Sequence, residues 1–490
     1  MGLKSNFLYN SIITSANYLF PLIVFPYVSR ILGPHYLGIF NFVDSVIYYF
    51  YMFGMMGIGI IGVREIAAVQ HDMKKRNEVF SSLLFLNAIF VATVIVLLII
   101  CIQIIPTLNQ YKYLFVVGIA NIIASFLLLD WLFKGMEDFR FITIRTIIIK
   151  CLYLASIFIF VRVPEDYGIY YILTTLSVIA NAAVNLWYSR HFVKFDFHSF
   201  SKGVMLYLKP NVHLGAYWIL TSIYASFYTI YLGFLSTPNQ IGYFTTASKL
   251  IILILSVYTA WTTVVMPRAS FMLAEGNSKE HFQLIQKSIS SLFSLGIPIV
   301  IIGITFTPDI IHTLAGDRYE GAYIPSMILI PLIIIIGYEQ IIILQTLTPM
   351  KKDNVLLRNS FWGAITGVAC GVVLVPRYHA VGASVSWIIS ELCVLTLSQW
   401  YLKKHYAFHF PVRLFLLIIY YHTPAFIICI ATRMLFPYIS IYRVIIASII
   451  VFIFSLFVQL KFIKEPVITS FVYNTFARFN NIWKKISNQK

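Results

Sequence analysis

Residues 79–105 read VFSSLLFLNAIFVATVIVLLIICIQII, without one charged side chain, directly behind Lys74, Lys75 and Arg76. About 20 apolar residues carry a helix across the ~30 Å hydrocarbon core of a bilayer. In lipid only helices or closed barrels satisfy every backbone group. The stretch therefore reads as a membrane-crossing helix, and its basic flank as the cytoplasmic end, because cytoplasmic loops retain positive charge. The same reading repeats outward in both directions. Apolar runs fall at 7–28, 39–62, 113–133, 141–161, 168–189, 211–235, 241–265, 288–307, 321–345, 354–375, 380–402, 412–436 and 442–460, so 79–105 is the third of fourteen. The N-terminus, the even-numbered gaps and the C-terminal tail carry about 25 Lys and Arg, from Lys4 through Arg64 to Lys484 and Lys485. The odd-numbered gaps carry few, among them Arg30, Arg162, Arg318 and Arg377. This alternation predicts a multi-pass protein of the bacterial inner (cytoplasmic) membrane with both termini in the cytoplasm.

The 490 residues carry a net charge of +17, which in a soluble protein would suggest nucleic acid. Here mean hydropathy is +0.83 and only 11% of residues are charged, so topology accounts for the basic balance and no nucleic-acid partner is expected. All five cysteines lie inside apolar runs, none in a CxxC or Cys/His spacing, so neither disulfides nor a metal is expected. The first run is longer than a signal-peptide core and no small-residue cleavage site follows it, so it reads as a retained helix. No nucleophile elbow, P-loop, HExxH or dinucleotide fingerprint stands in a suitable context, and no cofactor is expected.

An internal repeat organises the chain. Leu37-Gly38-Ile39-Phe40 returns 204 positions later as Ile241-Gly242-Tyr243-Phe244, Arg64 returns as Arg268, and Leu32-Gly33-Pro34 has an echo in Ser236-Thr237-Pro238. Six runs separate the copies, an even number, so the repeat is parallel. Parallel halves with a binding site between them are a common transporter plan. The expected fold is an all-α polytopic membrane protein of about 14 transmembrane helices: two six-helix lobes around a central cavity plus a C-terminal helix pair. The lobes are 1–190 and 191–405, the added pair 406–461, and 462–490 is an amphipathic cytoplasmic tail suited to an anionic lipid surface. Gly363, Gly367 and Gly371 recur every four residues, a small-residue face for close helix packing.

Ionisable groups inside such runs are the strongest pointers to function. Lys150 lies about 15 Å from the inner end of its run at 1.5 Å rise per residue, too deep for its stem to reach water. Lys249 and Glu391 are similarly deep. Asp44, Asp130, Arg145, Glu339 and Arg358 lie nearer an interface, where snorkelling or a structural ion pair is the simpler reading. For the two lysines, a cavity role competes with burial against Asp130, Asp44 or Glu391. On the seventh run, His213, Tyr217, Tyr224, Tyr228 and Tyr231 fall within about 60° of helical arc. A row of phenols combines hydrogen bonding with flat apolar faces and suits sugar rings; packing, or for the terminal members an interfacial belt, is the alternative. Asn41, Asp44, Tyr48 and Tyr51 form a similar stripe on the second run, and Asn10, Thr14 and Asn17 another on the first.

Several local strings carry a resemblance. Ser29-Arg30-Ile31-Leu32-Gly33-Pro34 with Gly38 resembles the junction of the first two helices in bacterial polysaccharide biosynthesis (Wzx-type) flippases. Gly57-Ile58-Gly59 followed by Gly62-Val63-Arg64-Glu65-Ile66-Ala67 is similar to their second-helix exit, and Asp130-Trp131-Leu132-Phe133-Lys134-Gly135-Met136-Glu137 to the end of their fourth helix. Gly337-Tyr338-Glu339-Gln340, Leu347-Thr348-Pro349-Met350 and Val381-Gly382-Ala383 resemble the later half. The match covers roughly residues 1–400. It implies the multidrug/oligosaccharidyl-lipid/polysaccharide exporter fold, with lobes that rock around a central cavity. It also implies a substrate, an undecaprenyl-pyrophosphate-linked oligosaccharide moved to the outer leaflet for O-antigen or capsule synthesis, with polymerase and ligase machinery as further partners. For such a ligand Lys150, Lys249, Arg30, Arg64 and Arg268 are candidates for the pyrophosphate, where fixed cations act strongly in a low dielectric. His213, Tyr217, Tyr224, Tyr228, Tyr231, Asn41 and Tyr48 are candidates for the sugars, and Asp44, Asp130, Glu339 and Glu391 for coupling or ion pairing. A multidrug or cation exporter, a membrane polymerase or glycosyltransferase, and a flippase for lipid-linked peptidoglycan precursors stand as alternatives.

Overall fold

A computed structural model describes residues 3–195, 200–437, 441–465 and 469 of the chain. Apart from residues 462–465 and 469, the expected amphipathic tail lies outside the described residues. All regular structure among the described residues is helical, as lipid requires of a backbone that must satisfy its own polar groups. In chain order the helices are α1 (Leu3–Met55), α2 (Ile58–Ala68), α3 (Met73–Ile104), α4 (Pro106–Asn109), α5 (Lys112–Phe126), α6 (Asp130–Gly135), α7 (Phe139–Phe160) and α8 (Tyr167–Ser189). They continue as α9 (Phe200–Leu235), α10 (Pro238–Ala274), α11 (Ser278–Thr305), α12 (Thr307–Ala315), α13 (Tyr323–Leu329) and α14 (Leu332–Ile342). The last three are α15 (Asp353–Tyr406), α16 (Val412–Leu435) and α17 (Ile441–Val458).

Ten helical stretches are long and apolar enough to cross a membrane, eleven if the bent pair 317–329 and 332–347 forms one span. Two of these are double-length, at 58 and 54 residues, where one crossing needs about 20. Each is broken in the middle: α1 at Gly33, with φ 68°, and α15 at His379, with φ 48°. Many large apolar side chains are exposed beside those that form the core, as a lipid-facing protein demands; Val96 and Ile104 on α3 are 56% and 72% exposed.

Helices divide into two compact packing units. The first contains the described residues up to Thr245 together with Gly371–Ala383; the second contains Thr246–Cys370 and the described residues from Ser384 onward. In this division α9, which packs on α1 and α3, stays with the first unit.

Within the first unit the two copies of the repeat meet each other at equivalent positions. A Cβ on Gly38 would lie 1.9 Å from the carbonyl oxygen of Pro238, and a Cβ on Gly242 would lie 2.2 Å from that of Pro34. About one turn beyond the two glycines, Asn41 Nδ2 donates to Thr245 Oγ1 at 3.0 Å. Pro34 and Pro238, Gly38 and Gly242, and Asn41 and Thr245 are all related by the 204-residue offset, so this clasp has the self-complementary character of a two-fold contact. Only glycine permits the backbones to approach so closely. Without a hydrophobic drive between helices in lipid, such contacts carry the association.

At the opposite end of the unit, α2 and α6 lock together by the same device. A Cβ on Gly62 would strike the Trp131 ring at 2.5 Å, and one on Gly135 would strike Ile66 at 2.8 Å. Leu129, at φ 50°, turns the chain so that Asp130 opens α6. Nearby, Asp72 caps α3 by accepting from the Lys74 and Lys75 amides, both at 3.1 Å, and the Lys75 amide bond leads the effects that hold its carboxyl below the usual range.

The second unit is built on α11, which packs on α14, α16 and α17. The two halves of α15 within this unit close on each other through Gly363, where a Cβ would lie 2.2 Å from Val394, and through the bond from Ser390 Oγ to the Gly363 carbonyl at 2.8 Å. Gly371, in the first unit, lies against Phe227 and Tyr228. The outer turn of α17 is held to α12 by a fully buried ion pair, Arg443 with Asp309, in which the guanidinium also donates to the Phe436 and Pro437 carbonyls.

Candidate functional site

In the first unit, Arg145 and Lys150 of α7 have different surroundings. Arg145 is buried and bonded to Asp130 Oδ1 at 3.2 Å and to the Asn185 side chain, while Asn185 also binds Asp130 and the Leu128 carbonyl. This network fixes the turn that leads into α6. It places Asp130 in a structural ion pair, the simpler of the two readings expected for it. Lys150, five residues along α7, has no carboxylate among the described residues. Its Nζ donates to Asn17 Oδ1 of α1 at 2.7 Å and lies 5.5 Å from the Phe20 ring centroid. A half-buried ammonium held by a neutral amide and an aromatic face keeps its charge uncompensated and available to an anion.

The remaining cations are placed differently. Arg64 is 61% exposed and pairs with Glu65 at 2.8 Å. Arg30 and Arg268 are exposed. Lys249 is half-buried on α10 and, like Asp44 on α1, is already engaged by neighbouring groups. The structure thus does not gather the five candidate cations into one site in the first unit: Lys249 and Arg268 belong to the second.

The tyrosine stripe of α9 is also divided. The side chains of Tyr217 and Tyr224 lie outside the described residues. His213 is exposed, and Tyr231 is half-buried and stacked on Phe227 at 5.3 Å. Tyr228 is fully buried among Phe227, Phe244 and Gly371, the position of a packing residue rather than of a sugar-facing one. Asn41 is likewise turned into the clasp by its bond to Thr245. On α1, Tyr48 is 38% exposed and stacks with Tyr51 at 6.0 Å.

In the second unit, Glu339 on α14 and Glu391 on α15 come together with 7% and 4% exposure. The Trp387 indole donates to Glu391 Oε1 at 2.9 Å, while Glu339 Oε2 has no hydrogen-bond partner among the described residues. Two carboxyls buried side by side repel each other when both are charged. No cation pairs with either among the described residues. Two neighbouring bonds brace α14: Gln340 with Thr259 at 3.0 Å, and Tyr338 Oη to Gln399 at 2.6 Å. The helix then loosens into a π-turn at Ile343–Leu347. Sequence spacing alone hides this pair, because its members lie on separate helices.

The model of one protein family, described as polysaccharide biosynthesis protein, matches residues 3–273, more than half of the sequence. The chain belongs to the polysaccharide biosynthesis protein family. Two curated relatives share the name "Putative O-antigen transporter". The one from Escherichia coli (strain K12) is 22% identical over 83% of this chain and 98% of its own length. The one from Shigella dysenteriae is 25% identical over 80% and 98%. Among solved structures, lipid II flippase MurJ in an inward closed conformation superposes with a TM-score of 0.75 at 15% identity, over 93% of this chain and all of that one. An inward-facing multidrug resistance MATE transporter of the MOP superfamily gives 0.61 at 14% identity, over 79% and 96%. The fold is therefore that of MurJ and the MATE exporters, and the family is one of membrane transporters rather than enzymes.

Proposed function

We propose that the chain is a flippase for an undecaprenyl-pyrophosphate-linked oligosaccharide, moving it from the inner to the outer leaflet of the bacterial inner membrane. The observation that carries this reading is Lys150: a deep, half-buried ammonium whose partners, Asn17 and Phe20, are neutral. A diphosphate entering a low-dielectric cavity needs such a charge, whereas an exporter of organic cations would be repelled by it. Full-length correspondence with relatives named for O-antigen transport supports the same substrate class. Flipping makes and breaks no covalent bond, so it asks only for binding and a conformational change.

The two broken double-length helices, the bent pair and α9 bring the crossings to about fourteen, with both termini cytoplasmic. The lobes 1–190 and 191–405 are the bodies we propose to move, and the glycine clasp is the contact that opens and closes between the repeat copies. Glu339 and Glu391 are suited to hold the coupling proton or monovalent cation, since two carboxyls buried side by side away from water relieve their repulsion by binding one. The decisive experiment deletes the gene in its own strain and measures lipid-linked glycan in the inner leaflet. Accumulation that is relieved by the wild-type gene supports the reading; an unchanged pool with intact surface polysaccharide overturns it.

A further inference from the structure

The first unit holds a cavity of about 660 Å³ that none of the assignments above uses. Its volume lies within the roughly 300–1,000 Å³ of small-molecule sites. Every segment that walls it comes from a turn between helices, or from the helix ends beside one. Tyr36 follows the Gly33 break of α1, Gln110 and Tyr111 lie between α4 and α5, Tyr167 opens α8, and Ser236 follows α9. In the charge pattern of the sequence these are the first, third, fifth and seventh gaps, the ones nearly free of Lys and Arg. The cavity therefore faces the extracytoplasmic side in the topology proposed above, beside the glycine clasp.

The chemistry of the wall is specific. No Asp, Glu, Lys or Arg lines it. Tyr36 and Tyr167 stack with centroids 4.9 Å apart and planes at 21°, and Tyr111 meets the buried Phe42 edge-on at 6.2 Å, giving a broad aromatic surface. The hydroxyls of Tyr36, Tyr111 and Tyr167 and the amide of Gln110 make no hydrogen bond to protein among the described residues, so four polar groups around one cavity are available to a ligand. Aromatic faces pack against the C–H face of a pyranose, while free hydroxyls and an amide bind its hydroxyls. A diphosphate or a uronate would enter without any fixed charge to balance it. We propose that this cavity is a second, extracytoplasmic binding site for an uncharged sugar ring of the transported glycan, distinct from the cation site at Lys150. It rests on the flippase reading for the identity of its ligand, and on the walls of the cavity for the class.

The test uses full-length protein in lipid nanodiscs with Thr107→Cys at the rim of the cavity as a reporter for an impermeant maleimide. The probe is the oligosaccharide pool released by mild acid from the lipid-linked fraction of the strain that carries the gene. Labelling should slow saturably, by at least about threefold when the pool is in excess. Inorganic pyrophosphate should give no protection. Tyr167→Ala and Gln110→Ala should each remove the protection, and Tyr167→Phe, which keeps the stacked ring, should retain most of it. Unchanged labelling with the pool, protection by pyrophosphate, or full protection surviving in both the Tyr167→Ala and Gln110→Ala proteins overturns the proposal. Glycan accumulation in the deletion strain without protection here would leave the flippase reading standing and remove this site. Protection without accumulation would do the reverse.

Discussion

At the scale of single residues, the partners of a buried charge decide what it can do. Lys150 and Arg145 sit five positions apart on α7, yet Arg145 is tied to Asp130 and Asn185 while Lys150 rests on Asn17 and Phe20. Removing Lys150 leaves no carboxylate stranded. Lys150→Ala should therefore cost only about 1 kcal/mol of stability, the scale of a side-chain hydrogen bond in a membrane protein. Transport should nevertheless collapse, and Lys150→Arg should restore more of it than Lys150→Gln, because a flexible diphosphate needs the charge more than a particular donor geometry. Membrane abundance and glycan transport, measured together on the three variants, check this; a severe fall in the abundance of Lys150→Ala would return the lysine to a structural role. The opposite outcome is expected at Arg443. Its loss strands Asp309, which is fully buried, so Arg443→Ala should destabilise the protein by about 3–5 kcal/mol. Thermal unfolding in detergent should show it, with partial recovery in Arg443→Ala with Asp309→Asn.

At the scale of elements, the glycine clasp shows how a weak sequence repeat becomes a physical contact. The offset of 204 was readable because the same residue types recur, and Gly38 and Gly242 each stand against the proline that opens the other copy. What the repeat could not reveal was that the copies touch. Helical periodicity had a stricter limit on α9: it places Tyr228 and Tyr231 on one arc but cannot say whether lipid, protein or a cavity covers that arc, and for Tyr228 the cover is packed protein. The Arg443–Asp309 and Glu339–Glu391 pairs were illegible for a related reason, since separations of 134 and 52 positions carry no local signal. The clasp yields its own prediction. A methyl group at either glycine must displace backbone, a strain on the order of 1–3 kcal/mol against the clasped state. Gly38→Ala and Gly242→Ala should therefore give the same phenotype. Ile241→Cys, buried at 2% exposure in the wild-type clasp, should become reactive to an impermeant thiol reagent in both backgrounds and stay protected without them. Protection that survives in both variants would show that the contact does not need to be this close.

At the scale of the whole molecule, orientation in the membrane follows from charge rather than from packing. Helix packing is the same whichever way the molecule faces, but retention of Lys and Arg on the cytoplasmic side is not. The basic gap that holds Lys74, Lys75 and Arg76, in the first turn of α3, lies at the end locked by Gly62 and Gly135. The clasp and the turn before α10 fall at the other end. Asn239, in the first turn of α10 beside the clasp, should therefore accept a thiol label as Asn239→Cys only from outside the cell. Asn277, which caps α11 next to Lys279, should as Asn277→Cys be labelled only from the cytoplasm. The two sites are joined by α10 alone, so opposite labelling also shows that this helix crosses once. Labelling of Asn239→Cys from the cytoplasm would invert the molecule. It would place the clasp on the cytoplasmic side, and the topology read from the charge pattern would fail with it.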